Sequence, residues 1–576
     1  MLFFFAGLCC LLSGTQAFVL PTRLESREAK VPKRERLFKG ISEDVDLKWH
    51  DCVGDSEHKA YRCARLSVPL DYKKPENGLR AIIPIIKFPA SKDASYKGAV
   101  LINPGGPGGL GTETTYDLKF ATATQANITG PGWDIIGFDP RGIGYSVPFF
   151  TCNATSFEPD RQNATVLPSS KDHHSFRRRF FNATSMGMII PDSSPKLNSP
   201  EEDLYFHNNC TKYSGAYNQA GQHMNSVVVA TDMLSIAKAL AREAGRPEAN
   251  VTVNFYGMSY GTALGQIFAS LYPSNVGKFL LDGVLDVNTY IPRKRMYDTV
   301  AHADEAWSGF FTFCNDFGSD HCKFFAKGGV NAIRGRFNKI MSKLDPTKYE
   351  GKNSSDIEKV TTLLGDVKNK MLLSAYNPNQ AWVGMSEFLV IVESVITPDE
   401  ISQWNQTAIS EWAEARHKKY LEKHAAPPLA YSDEAQTSVE CTDGRNQSGI
   451  VITPAEHRER YNISNLAAHT TIGSPETCSK WPISPSWKWY GPIGGKTATP
   501  ILFTGNRLDP VTPYESAENA SKLFSGAKWY YADEIGHVTL DRGNECAYKH
   551  ARAYFQNGTL PESGTMCKRG KFTIAE

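Results

Sequence analysis

The stretch that most constrains this chain is Gly257-Met258-Ser259-Tyr260-Gly261. Before it runs Val251-Thr252-Val253-Asn254-Phe255-Tyr256, an apolar, β-rich segment. After it Leu264, Ile267, Phe268 and Leu271 fall on one helical face. Gly-x-Ser-x-Gly between a strand and a helix describes a tight, strained turn that lifts the serine clear of a sheet. The glycines follow from crowding, because a Cβ at either place would meet the neighbouring strand or helix. The competing reading is a purely structural turn. The strand-to-helix context favours Ser259 as a candidate nucleophile.

A serine hydroxyl is a weak nucleophile until a base takes its proton, and the base needs a carboxylate to fix its tautomer. Downstream, Thr499 to Gly505 reads as a short buried strand ending in the turn-rich Asn506-Arg507-Leu508-Asp509-Pro510-Val511-Thr512-Pro513. Trp529 to Ile535 reads as another strand, running into Gly536-His537. Asp509 and His537 therefore each sit just past a strand's carboxyl end, where open α/β sheets hold their sites. Asp282 and Asp286, after Phe279-Leu280-Leu281, are the alternative acids. Asp533 and Glu534 read as solvated loop charges.

A developing oxyanion needs backbone N–H donors free of obstructing side chains. The buried strand Gly98 to Ile102 leads into Asn103-Pro104-Gly105-Gly106-Pro107-Gly108-Gly109. Gly106, with its neighbour Gly105, is the expected donor from this loop, and the N–H of Tyr260 is the other. A phosphate cradle is excluded by the lack of a Gly-Lys-Ser/Thr ending. Trp133 to Asp139 gives a further strand, closed by Pro140-Arg141-Gly142. Asp139 and Arg141 read as structural supports of that loop.

The chain has 576 residues and a formal net charge of +2, which offers no electrostatic footprint for nucleic acid or anionic membranes. Met1 to Leu12 is a short apolar core followed by Ser13-Gly14-Thr15-Gln16-Ala17, a secretory signal pattern cut after Ala17. It falls short of the about 20 apolar residues of a membrane anchor. Secretion agrees with twelve Asn-x-Ser/Thr sites for N-linked glycans: Asn127, Asn153, Asn163, Asn182, Asn209, Asn250, Asn353, Asn405, Asn446, Asn462, Asn519 and Asn557. Of twelve cysteines, Cys9 and Cys10 lie in the signal core. The other ten suggest disulfides. The expected local pairs are Cys52–Cys63, Cys314–Cys322, Cys441–Cys478 and Cys546–Cys567, leaving Cys152–Cys210. Spacing alone leaves that connectivity open. A zinc site is the rival, but no Cys-x-x-Cys or His-Glu-x-x-His occurs, so no metal is expected.

Strand patterns from Trp49 to Asn288 and from Lys496 to Cys567 enclose about 200 residues of mainly helical pattern, too long for a loop. The helices are expected at 333–344, 360–373 and 409–421. The resulting division is a signal peptide at 1–17 and a leader at 18–44, releasable as a propeptide at Lys33-Arg34. A first core part follows at 45–295, a cap at 296–484 and a second core part at 485–576. Residues 150–213 read as a polar surface excursion.

Taken together, Asn103-Pro104-Gly105-Gly106-Pro107-Gly108, Phe138-Asp139-Pro140-Arg141-Gly142, Gly257 to Gly261, Asp509 to Pro513 and Gly536-His537 resemble secreted tripeptidyl aminopeptidases. These form part of the prolyl-iminopeptidase branch of the α/β-hydrolases. The likeness extends to Cys63 to Tyr72, Cys441-Thr442-Asp443 and Cys478 to Trp481, and so spans about Trp49 to Cys567, least in the middle. Asn103, where prolyl iminopeptidases usually carry His, favours the tripeptidyl type. The resemblance implies an α/β-hydrolase fold with a large helical cap, and a TAP-like carboxyl-terminal region. It also implies release of short N-terminal units, tripeptides foremost, from peptide substrates through an acyl-enzyme without a cofactor. An aminopeptidase must hold a protonated N-terminus, so acids should face the pocket. Glu440 and Asp443 beside Cys441 are the candidates, then Glu387 and Glu393 in the apolar cap run. The alternatives are an esterase or amide hydrolase of the same fold, and a catalytically silent binding glycoprotein.

Overall fold

A computed structural model describes residues 37–53, 56–150, 220–292, 295–423, 433–444, 453–468, 481–540 and 542–570, with Cys152, Cys210, Cys478, Ser479, Phe572 and Ile574. The signal pattern, Lys33-Arg34 and most of 150–213 lie outside the described residues. The centre is one eleven-stranded sheet. Its strands are β1 (Glu43–Asp44), β2 (His50–Asp51), β3 (Arg62–Pro69), β4 (Arg80–Phe88), β5 (Gly98–Asn103), β6 (Trp133–Phe138), β7 (Val253–Met258), β8 (Val276–Asp282), β9 (Leu502–Leu508), β10 (Lys528–Ile535) and β11 (Thr565–Cys567). They lie in the order β1-β3-β4-β6-β5-β7-β8-β9-β10-β11, with β2 on β3. β4 is antiparallel to both β3 and β6, and every pair from β6 through β5 to β11 is parallel. The reversal between β5 and β6 and the antiparallel β4 make this the α/β-hydrolase topology.

The parallel strands are buried on both faces and read as near-continuous apolar runs. Leu101, Phe255, Phe279, Leu281 and Phe503 face helices α3 (Ser226–Glu243) and α4 (Tyr260–Leu271), which follow α1 (Gly111–Tyr116) and α2 (Leu118–Thr124) in the chain. Leu264, Ile267 and Phe268 are the buried face of α4, each at most 2% exposed. Each such side chain contributes about 1.5–3 kcal/mol on burial. Leu37, Phe38 and Ile41, within the segment assigned to the leader, are buried against Tyr61, Cys63, Ile86 and Tyr116. Three apolar residues amid basic ones carry no period that would reveal this packing.

Between β8 and β9 the chain builds a helical cap: α5 (Ala303–His321, kinked at Gly318), α6 (Val330–Lys343), α7 (Ser354–Tyr376), α8 (Pro378–Val395), α9 (Thr407–Lys423), α10 (Asp433–Asp443) and α11 (Pro454–Ile463). Asn353 caps α7 by accepting the N–H of Ser355 at 3.1 Å, and Pro378 opens α8 where no N–H is needed. The cap has its own core of Trp307, Phe310, Phe311, Phe313, Phe337, Trp382 and Phe388. This explains the five consecutive apolar residues Phe388 to Val392. α8 is packed by neighbours around most of its circumference, so periodicity cannot show. Helices α12 (Tyr514–Leu523) and α13 (Glu545–Asn557) complete the fold. Disulfides join Cys52 to Cys63, Cys152 to Cys210, Cys314 to Cys322, Cys441 to Cys478 and Cys546 to Cys567. No helix among the described residues is long and apolar enough to cross a membrane.

Candidate active site

β7 runs to Met258, so Ser259 is the first residue beyond its carboxyl end, and α4 begins at Tyr260. Ser259 has φ 56° and ψ −124°, a conformation that costs a non-glycine residue of order 1–3 kcal/mol and needs surrounding structure to hold it. The elbow is clamped. Ser259 N–H donates to the carbonyl of Asp282 at 3.0 Å, and its own carbonyl accepts from Thr262 N–H and Oγ1. A Cβ on Gly257 would come within 2.5 Å of the Gly261 carbonyl, and one on Gly261 within 2.7 Å of the Asn103 carbonyl. Ser259 is half-buried while its neighbours on either side are buried, so it is the more open residue of the elbow.

Asp509 follows β9 and His537 follows β10. Asp509 is fully buried, and both its oxygens face Nδ1 of His537, at 3.0 and 2.9 Å. Its remaining capacity is used by Val511 N–H, Thr512 N–H, Thr512 Oγ1–H and Val538 N–H at 3.0, 2.9, 2.8 and 3.3 Å. Such a carboxylate holds Nδ1 as the donor, leaving Nε2 as the proton acceptor. Nε2 of His537 is buried and makes no hydrogen bond. A Cβ on Gly283 would lie 3.3 Å from Cε1 of His537. Gly283 is the residue after Asp282, whose carbonyl holds Ser259, so imidazole and elbow share one corner of the sheet.

Asp282 has a different task from the one considered for it. Its carboxylate accepts the N–H groups of Thr539 and Leu540 at 2.8 and 3.0 Å, pinning the chain just after His537. Burial pushes it up to about 6, against the pull of those two N–H groups. Asp286 accepts from Asn288 N–H at the start of a short helical turn. Asp533 pairs with Arg507 at the surface.

The loop after β5 lies directly on the elbow. A Cβ on Gly105 would stand 2.5 Å from the Met258 carbonyl, 2.8 Å from Cβ of Ser259 and 3.0 Å from N of Tyr260. Gly105 N–H already donates to Oδ1 of Asn103 at 3.0 Å, which removes it from the donors open to a substrate. Gly106 is exposed, and Tyr260, at the first position of α4, has no acceptor within its helix. Of the N–H groups proposed from the sequence, those of Gly106 and Tyr260 are the two with no acceptor among the described contacts. Asp139 holds Thr112 and Tyr145, and Arg141 forms a buried pair with Asp232 at 2.6 Å; both support the loops beneath.

The four acids considered for an ammonium separate clearly. Glu387 pairs with Arg416 at 2.8 Å and Glu393 with Arg336 at 2.5 Å, both within the cap. Asp443, at the end of α10, is 5% exposed and bonds the first residue of α3. Its oxygens accept Ser226 N–H and Ser226 Oγ–H at 2.6 Å each, and Tyr290 O–H at 2.8 Å. Ser226 Oγ in turn lies 2.5 Å from the Tyr260 hydroxyl, which burial and then the Asp443 charge push well above its ordinary range. Glu440, one turn earlier, is partly exposed, accepts from Gln436 at 2.7 Å, and adds its charge to the field at Tyr260.

Two contacts lay outside the sequence reading. Thr512, inside the quoted Asp509 segment, sits 3.1 Å from Nδ1 of His537 and bonds Asp509; an Asp followed by donors two and three residues on is an Asx-turn signal that could have revealed it. Tyr376, at the end of α7, accepts the His537 N–H at 2.8 Å and sets its ring edge-on to the imidazole at 5.0 Å. No local pattern marks Tyr376.

The chain is similar in sequence to known hydrolases. Residues 464–567 match the family model described as TAP-like protein. The serine protease Hip1 of Mycobacterium tuberculosis is 23% identical over 513 residues, 88% of this chain and 87% of its own. The tripeptidyl aminopeptidase of Streptomyces lividans is 23% identical over 539 residues, covering 90% and 86%. A carboxylesterase B of Mycobacterium tuberculosis is 24% identical over 528 residues, covering 90% and 89%.

Proposed function

We propose that this chain, a serine hydrolase of the α/β-hydrolase fold with a TAP-like carboxyl-terminal region, is a secreted exopeptidase releasing short N-terminal units, tripeptides foremost. Ser259 attacks the peptide carbonyl, and His537 takes its proton and returns it to the leaving amine. Asp509 orients His537 and stabilises the imidazolium. The N–H groups of Gly106 and Tyr260 hold the oxyanion, and water then hydrolyses the acyl-enzyme.

The observation that carries the exopeptidase reading is the chain of contacts from Asp443 of α10 through Ser226 to the Tyr260 hydroxyl at the start of the nucleophile helix. Glu440 and Asp443 bring negative charge to Tyr260, the residue beside Ser259. Glu440 is partly exposed and its charge is felt at Tyr260, and it is the acid we assign to the substrate ammonium. The carboxylesterase relative keeps an ester reading in view, and one assay divides the two. Chromogenic amides of one, two and three residues, each with a free or acetylated N-terminus, are compared on parent, Ser259→Ala and Glu440→Gln protein. The exopeptidase reading expects cleavage of free-amine substrates only. It also expects Glu440→Gln to raise KM about tenfold, the loss of one charge-assisted hydrogen bond. Equal rates on acetylated substrates, or activity confined to simple esters, would sink it.

A further inference from the structure

The loop that carries His537 is under strain. Val538, the next residue, has φ 68°, which a β-branched side chain rarely adopts. Such a residue stays in place only where its surroundings over-determine it. The core supplies several clamps: Asn506 Nδ2 donates to the carbonyls of Gly536 and Val538 at 2.8 and 3.1 Å, and Asp282 holds Thr539 and Leu540. Asp509 also accepts Val538 N–H at 3.3 Å, and the Leu508 carbonyl accepts Gly536 N–H at 3.1 Å. Further clamps come from the cap.

They come from one corner, where α7 ends and α8 begins. The carbonyl of Tyr376 accepts the backbone N–H of His537, and the Tyr376 ring stands edge-on to the imidazole. Asn377 Oδ1 accepts from Arg542, five residues beyond His537, at 2.9 Å. Gly536 has φ 126° and fits under the corner so closely that a Cβ would lie 3.0 Å from the Tyr376 carbonyl and 3.1 Å from Cδ of Pro378. A small apolar joint of Ala306 and Ala375 from the cap with Leu508 and Ile535 from the sheet secures the same place. Three of its four members adjoin the site in sequence. Leu508 precedes Asp509, Ala375 precedes Tyr376, and Ile535 stands two before His537.

We infer that the Tyr376-Asn377-Pro378 corner of the cap is a positioning element for His537, so that the base is set by core and cap together and Tyr376 is its principal contact. This rests on the reading of Ser259 and His537 as nucleophile and base, but not on what substrate they serve. A cap serving only to enclose substrate would need no hydrogen bond to the base; this one supplies a backbone acceptor and a ring against the imidazole.

The test uses the full chain and diisopropyl fluorophosphate, which reaches the nucleophile without needing an ammonium site. The Ser259 Oγ–P bond forms, fluoride leaves, and the serine proton passes to His537. The maximal inactivation rate and the reagent concentration giving half of it are measured for parent, Tyr376→Leu, Tyr376→Phe and Arg542→Gln, with Ser259→Ala as control. Tyr376→Leu should lower the maximal rate about tenfold or more with the half-saturating concentration within about twofold, since displacing a base by ~1 Å can cost a hundredfold. Tyr376→Phe, which keeps ring and backbone, should restore the parental rate. A parental maximal rate in Tyr376→Leu, or a change confined to half-saturation, would overturn the inference. If Tyr376→Leu does not fold, Arg542→Gln decides: a slower maximal rate supports the corner's role and a parental one refutes it. Labelling absent from the parent, or unchanged in Ser259→Ala, would instead refute the nucleophile assignment and the inference with it.

Discussion

Adding one methyl group to Gly105 separates catalytic geometry from fold more sharply than removing a catalytic side chain. The new Cβ would meet the Met258 carbonyl at 2.5 Å, Cβ of Ser259 at 2.8 Å and N of Tyr260 at 3.0 Å. Ordinary carbon contacts begin near 3.5 Å, so the loop must withdraw from the elbow by roughly 1 Å. None of the three atoms can swing away, because two are backbone and the third is the first atom of the strained serine. Gly105 also has φ 95°, a second cost for an L-residue. Overpacking costs about 1–3 kcal/mol and the backbone conformation about 1–2 kcal/mol, so Gly105→Ala should lose roughly 2–5 kcal/mol of stability. The withdrawal also carries Gly106 away from the oxyanion. Loss of one such donor costs about a hundred- to a thousandfold in kcat, with KM little changed. Gly78→Ala is the control: its φ is 75° and nothing lies within 4 Å of its Cβ, so it pays only the conformational part and keeps the parental kcat. Thermal unfolding with steady-state kinetics on a small chromogenic substrate reads both effects. Gly105→Ala protein with kcat within about threefold of the parent would refute the placement of this loop as the oxyanion wall.

Thr512→Val should lower kcat roughly ten- to a hundredfold while Thr512→Ser stays near parental, because the hydroxyl bonds the Asp509 carboxylate beside His537 and a hydrogen bond to a charged group is worth about 1.5–3 kcal/mol. Parental kcat in the valine variant would refute this. On the far side of the same loop, His302 Nε2 lies 3.0 Å from both oxygens of Glu515, and that hydrogen bond raises its pKa above the usual value. A raised histidine adds stability that is fully present below its unfolded pKa of about 6.5 and is lost as pH rises through the folded value. The parent should therefore exceed His302→Gln in thermal midpoint by most near about pH 6, with the gap closing at alkaline pH. A gap independent of pH would sink the assignment.

What could be read from the chain, and what could not, divides along physical lines. Ser259, Asp509 and His537 were legible because each follows a strand, and a strand's end shows locally as an apolar run breaking into turn residues. The glycines at 257 and 261 were legible for the same reason, since crowding at a turn is a property of a few consecutive residues. Boundaries drifted where the apolar pattern outran the hydrogen bonding: the elbow strand is Val253–Met258 rather than Val251 to Tyr256, and β9 reaches Leu508 rather than Gly505. Helices α5 and α8 escaped notice because aromatic residues point from several sides of each into the cap core, which erases the period of an amphipathic helix.

Sequence by itself thus determined the α/β character, the strand-end positions of Ser259, Asp509 and His537 and the existence of a helical insertion, since all of these leave a mark within a dozen neighbouring residues. Only the tertiary structure decided which acid faces His537, that Asp282 holds the loop beyond it, that Gly105 spends its N–H on Asn103, and that Asp443 joins Ser226 and Tyr260 across 217 and then 34 residues of chain. Those are relations between segments, set by how strands order in a sheet and how a cap docks on their ends. Nothing in the local chemistry of any one segment encodes them.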